Sequence, residues 1–222
     1  PVRPELDGAM AYNPESVLVP VARVEGIGWT MLGAGTRSGS SIIGGQGGVV
    51  RLDGSLDAIG PRALFVTLGG DGANLTGSSR AAQWMLLDQL IDEVRGRIAA
   101  DSKFALLTPA GRSTLATYFG GGGRVLVRIQ RAADISRLLR WAKQRNVQIA
   151  LVGAVEGWKV APQIAAAGAP LFVDSLAALP SDFDPIGATL ENAARPHAAG
   201  VRLPFSQAGA ASHNARHTSP LA

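Results

Sequence analysis

Residues 124–152 read RVLVRIQRAADISRLLRWAKQRNVQIALV: an apolar run, a helix-like stretch, and a second apolar run. The rhythm continues downstream. Apolar runs stand at Val125–Ile129, Val147–Val152, Pro170–Val173 and Val201–Ser206, and their starts lie 22, 23 and 31 residues apart. That spacing is one strand plus one crossover helix. Parallel strands need such crossovers, so the repeat argues for a parallel α/β sheet, open or closed into a barrel. Between the first two runs, Ile135, Leu138, Leu139 and Ala142 make the core face of a helix. In either form of sheet, chemistry sits just beyond the C-terminal ends of the strands.

Working outward, residues 1–16 are polar and proline-rich, with a turn signal at Asn13-Pro14. A short helix is expected over Val17–Glu25 and a strand over Ile27–Leu32. The glycine-rich insertion 33–52 reads as a hairpin or long loop, with Gly44-Gly45-Gln46-Gly47-Gly48 as its turn. That run lacks the Lys-Ser/Thr ending of a phosphate loop and the third glycine of a dinucleotide fingerprint. Ala63–Leu68 is a further strand, and Gly69–Ser79 a loop ending at a helix N-cap. Trp84, Leu87, Ile91, Val94 and Ile98 form an amphipathic stripe, and a second helix is expected over Pro109–Phe119. The last helix of the repeat spans about Asp184–Ala199. Pro162 and Pro196 fall inside predicted helices and should kink or shorten them.

The chain has 222 residues, 46% apolar and 17% charged, which suits one globular domain with a sizeable core. It begins with Pro1 rather than Met, as expected of a processed or excised piece. There is no cysteine, hence no disulfide framework and no thiolate chemistry. No apolar stretch reaches the roughly 18–20 residues of a membrane span. The net charge is only +4, carried by 18 Arg and 3 Lys. The basic window Arg124–Arg145 interleaves with an apolar helix stripe and holds one aromatic, Trp141. It reads as a solvated helix face rather than a nucleic-acid surface.

Glu156 follows the second strand of the repeat and Asp174 the third, positions where acids could serve as general base or metal ligand. A first-turn helix acid favoured by the dipole is the structural alternative for Glu156. Asp182 and Asp184 read as helix caps. His213 and His217 lie four apart, a spacing that can ligate zinc, though no Glu stands between them in the H-E-x-x-H manner. No G-x-S-x-G elbow is present.

Two stretches, RIQRAADISRLLRWAKQRNVQIALVGAVEGWKVA from Arg128 and LPSDFDPIGATLENAARPHAAGVRLPFSQAGAASHNAR from Leu179, resemble the imidazolonepropionase-like branch of the amidohydrolase superfamily. Upstream, AYNPESVLVPVARVEGIGWTMLGAG and IIGGQGGVVRLDG resemble the segment after that branch's first barrel strand. The resemblance implies a TIM-type (β/α)8 barrel, here incomplete, without the first strand and the C-terminal helices, as a single partial domain over 1–222 with its repeat at 124–206. It also implies hydrolysis of the C–N bond of an amide or cyclic amide, not a peptide bond, by water activated on a divalent metal such as zinc.

The family's ligand set is largely missing from this chain. Beyond the first repeat strand stand Arg128, Gln130 and Arg131; beyond the second, Gly153-Ala154-Val155-Glu156; beyond the last, Gln207-Ala208-Gly209. The His213-Asn214-Ala215-Arg216 run resembles the motif after the branch's final strand. The expected site is therefore Glu156 and His213 as acid/base groups, with His213 also the candidate metal ligand, and Arg131, Trp158, Gln207 and Asn214 as substrate contacts. The expected partner is a small molecule, with no nucleic acid and no membrane, and the open barrel predicts a homo-oligomer. Two functional readings follow: an amidohydrolase-type hydrolase, or a catalytically silent barrel serving as a binding or assembly module.

Overall fold

Three of the four runs of the repeat fold as strands, with helices between them. The computed structural model describes residues 2–36, 40–174 and 186–204. Its strands are β1 (Trp29–Leu32), β2 (Ile43–Arg51), β3 (Ala58–Thr67), β4 (Arg124–Ile129), β5 (Ile149–Gly153) and β6 (Leu171–Phe172). They form one curled, six-stranded sheet in the order β1 to β6. β1, β2 and β3 pair antiparallel, whereas β3, β4, β5 and β6 pair parallel. The run at Val201 continues this order: the amides of Leu171 and Val173 donate to the carbonyls of Arg202 and Pro204, at 2.9 and 3.1 Å. The architecture is mixed α/β and consistent with an incomplete barrel.

The helices are α1 (Leu18–Val24), α2 (Gly70–Ala73), α3 (Arg80–Val94), α4 (Pro109–Phe119), α5 (Ala132–Arg145), α6 (Ala161–Ala166) and α7 (Ala194–Ala198). Their boundaries have local causes. Ser79 and Thr108 accept hydrogen bonds from the amides of Ala82 and Gly111, capping α3 and α4, and Pro109 opens α4 where its missing N–H costs nothing. α5 ends on Asn146 in the left-handed conformation, with Lys143 and Arg145 in its last turn.

Alternation along the strands sorts residues into two layers. Val125, Val127 and Ile129 of β4 join the main core with Leu64, Leu115, Ile135, Leu138, Leu151 and Ile164, under the helices. On the opposite, concave face, Ala63, Leu126 and Ala150 are buried among the partly covered Met31, Phe65, Val152 and Phe172.

Three expectations from the sequence are corrected. Gly44–Gly48 is not a turn but the interior of β2. Its glycines are required because other chain segments cross there. A Cβ on Gly47 would strike the Leu32 carbonyl and the Phe65 ring, and one on Gly45 would come within 2.6 Å of the Leu6 carbonyl oxygen. The N-terminal arm lies on this strand, with the Gln46 amide donating to the Leu6 carbonyl at 2.6 Å. The stripe ending at Ile98 overshoots, because α3 stops at Val94 and Gly96 turns the chain with φ +74°. The long helix to Ala199 is, within the described residues, a 3-10 turn at Leu190–Asn192 followed by α7. Pro162 sits in the first turn of α6 and Pro196 within the five-residue α7, so both helices are short.

Candidate functional site

The C-terminal ends of β3, β4, β5 and β6 share one side of the sheet, and the loops leaving them carry the candidate residues. β3 runs into Gly69, held at φ 82°, ψ −144° by a two-way bond with Gln83: the Gly69 amide donates to Gln83 Oε1 at 3.0 Å, and Gln83 Nε2 donates to the Gly69 carbonyl at 2.8 Å. Gln83 is fully buried. Reading the sequence missed it, because a glutamine beside an apolar stripe gives no sign of which loop it will reach.

The β4 and β5 ends are laced together. The Ala154 amide donates to the Ile129 carbonyl at 2.8 Å and the Glu156 amide to the Gln130 carbonyl at 3.0 Å. Gln130 Oε1 accepts from the Val155 amide at 3.3 Å. Gly153, at φ +84°, leaves room for the Gln130 side chain that a Cβ would fill.

Glu156 sits where α5 begins. Its Oε2 accepts from the Ala132 amide at 3.0 Å, its Oε1 from Lys159 Nζ at 2.5 Å, and the Gly187 amide also donates to the carboxylate. Its side chain is 6% exposed. Burial by itself raises a carboxyl pKa, but Lys159 and the two amides outweigh it and hold Glu156 below its ordinary value. The group is an ionised clamp between the start of α5, the Gly157–Val160 turn and the segment at Gly187.

Arg131 stands at the N-cap position of α5, beside this clamp. Its Nη2 lies 3.4 Å from Asp134, which also takes Arg80 at 2.5 Å, while Arg131 Nε is buried with no partner. Trp158 is fixed from three sides. Its amide donates to Asn192 Oδ1 at 3.3 Å and its Nε1 to the Gly187 carbonyl at 2.8 Å, and the Arg195 guanidinium covers its ring at 4.5 Å. Glu156, Arg131 and Trp158 thus gather at the β4–β5 end of the sheet. His213, Gln207 and Asn214, with Asp182 and Asp184, lie outside the described residues.

Among the described residues, no group of three or more His, Asp or Glu side chains could hold a metal ion. The donor chemistry at the ends of β4 and β5 does not suit one either. Arg128 is cationic, Gln130 is spent on Val155, and both Glu156 oxygens are engaged. A divalent cation does not fit these residues.

No protein-family model matches the sequence, and no curated protein matches it. Among solved structures, the chain is similar to the crystal structure of an amidohydrolase from Thermotoga maritima MSB8. The TM-score is 0.78 at 18% identity, covering 92% of this chain and 57% of that one. The chain therefore has an amidohydrolase-like fold, and spans a little over half the length of that protein.

Proposed function

We propose that this chain is part of an amidohydrolase-type hydrolase of the imidazolonepropionase-like branch, acting on the C–N bond of a small amide or cyclic amide. The observation that carries the proposal is the fold shared with an amidohydrolase over 92% of the chain, alongside the branch-like stretches around Arg128–Ala161 and Leu179–Arg216. In this reading the complete architecture is an eight-stranded barrel, and the described part contributes the substrate-facing wall of its mouth. Arg131 orients an anionic substrate, with Trp158, Gln207 and Asn214 lining the approach. His213 is the acid/base group, and Glu156 acts on the reaction by fixing the β4–β5 loops and the N-terminus of α5.

One observation favours a second reading. Glu156, the carboxylate between the β4 and β5 loops, is already fully engaged by Lys159 and two amides. A barrel that has lost its hydrolytic donors would bind without turning over. Metal analysis of the purified complete protein, paired with a hydrolysis screen of amides and cyclic amides, separates the two. Turnover abolished by His213→Ala supports the hydrolase. Absence of both bound metal and turnover across the screen leaves the binding module.

A further inference from the structure

Helices α3 and α5 follow the neighbouring parallel strands β3 and β4 and run side by side on the outer side of the sheet. Side chains tie them together in rungs spaced about one helical turn apart. At the first rung, Arg80 pairs with Asp134 at 2.5 Å. At the third, Asp88 accepts from Trp141 Nε1 at 3.1 Å and from Arg145 Nη2 at 2.8 Å. The middle rung differs. There the Arg137 guanidinium stands over the Trp84 ring, 6.0 Å from its centroid, and no described acid takes part.

Arg140 follows Arg137 at the next turn of the same helix face. Both are exposed, and neither makes an ion pair or hydrogen bond with a described residue. The acids of the flanking rungs, Asp134 and Asp88, are already matched by Arg80, Arg131 and Arg145. Trp84, Arg137, Arg140, Trp141 and Gln144 line a groove of about 420 Å³, within the range of small-ligand sites. β3 and β4 lie inside the strand order. Strands that complete a barrel therefore add at β1 or beyond the run at Val201, not between α3 and α5.

We propose that this groove binds a phosphomonoester with a flat aromatic body, of the nucleoside monophosphate class. Such a phosphate carries about −1.5 to −2 charge at neutral pH, which two guanidiniums a turn apart match through charge-assisted hydrogen bonds. Arg137 can turn toward it because its hold on Trp84 is loose. At 6.0 Å it stands at the outer limit of a cation–π contact, against 4.5 Å for Arg195 on Trp158. The indole face it leaves takes the ligand's ring by stacking. Gln144 offers an amide donor and acceptor to the edge of that ring. The groove is built from helix faces rather than from the loops at the strand ends, so the proposal stands apart from the hydrolase reading.

The test is a titration of the full chain with adenosine monophosphate, adenosine and inorganic phosphate, read at low salt from indole Nε1–H signals in NMR spectra. The Trp84 signal is identified by its loss in Trp84→Phe. The nucleotide should shift it saturably, with adenosine and inorganic phosphate each bound about tenfold or more weakly, since each supplies half of the contact. Arg137→Met and Arg140→Met should each weaken the nucleotide by a similar factor at an unchanged melting temperature. Lys103→Met should leave its affinity as it is. Inorganic phosphate or adenosine bound as tightly as the nucleotide by the unsubstituted chain would overturn the proposal without relying on any variant. So would an unmoved Trp84 signal at millimolar nucleotide, or full affinity in both Arg variants.

Discussion

Glu156 shows how much a single carboxylate can be asked to hold. Its three donors come from Lys159, three residues away, and from Ala132 and Gly187, which are distant in sequence. Its folded-state pKa lies below the ordinary 4.5, so the ionised form is the one that stabilises the fold. That stabilisation is complete above 4.5 and is lost as the pH falls through the depressed native value. Glu156→Gln should cost about 1.5–3 kcal/mol at neutral pH, the range for hydrogen bonds to a charged group. In urea unfolding, the gap between the two proteins should close well below pH 4.5. A pH-independent gap would mean that charge is not what the site uses. Gly187→Ala tests the same clamp sterically, because the added Cβ would collide with the Glu156 carboxylate and Lys159. It should lower the melting temperature. The position of Glu156 after a strand could be read from the sequence, as could its neighbour Lys159. The amides that saturate it could not, since nothing local marks Ala132 or Gly187 as its partners.

At the scale of elements, periodicity succeeded where side chains alternate between environments. α5 buries Ile135, Leu138, Leu139 and Ala142, as their spacing demands. Leu138→Ala should cost about 2–5 kcal/mol in the same unfolding measurement, the usual range for emptying a core leucine site. β2 was illegible for the opposite reason. Its glycines carry no hydrophobic alternation, and their purpose, clearance for the chain at Leu6 and Leu32, depends on contacts far away in sequence. Gly47→Ala should therefore cost about 1–3 kcal/mol through overpacking. Gly35→Ala, where a Cβ meets nothing within 4 Å, should be close to neutral. Similar effects from both would remove the steric account of the strand.

The whole molecule is a sheet whose two ends differ. The parallel unit of β3, β4 and β5 is paired on both sides and covered by helices, while β1 ends the sheet order and keeps Trp29 63% exposed. Hydrogen exchange should be slowest at Val127, Ile129 and Leu151 and fastest along β1. α1 adds apolar surface, with Val21 51% and Val24 76% exposed. An open edge beside exposed apolar side chains predicts self-association of this chain. Sedimentation across a concentration series reads it directly, and a monomer that melts cooperatively would overturn it. The α/β class was legible in the strand-and-helix rhythm because each parallel strand needs its crossover. The antiparallel start was legible only as a hairpin or long loop, since its pairing with β3 spans a glycine-rich strand.

The slot along β2 has a kinetic consequence. It exists only after β2 has paired with β3 and the chain at Leu32 has settled over it. The N-terminal arm that seats there is then tied by Asp7 to Arg62, 55 residues on, and by Glu5 to Thr108, 103 residues on. Each tie closes a long loop, whose entropy must be met before the contact returns anything. The arm at Glu5–Asp7 is thus expected to be among the last segments to find its place.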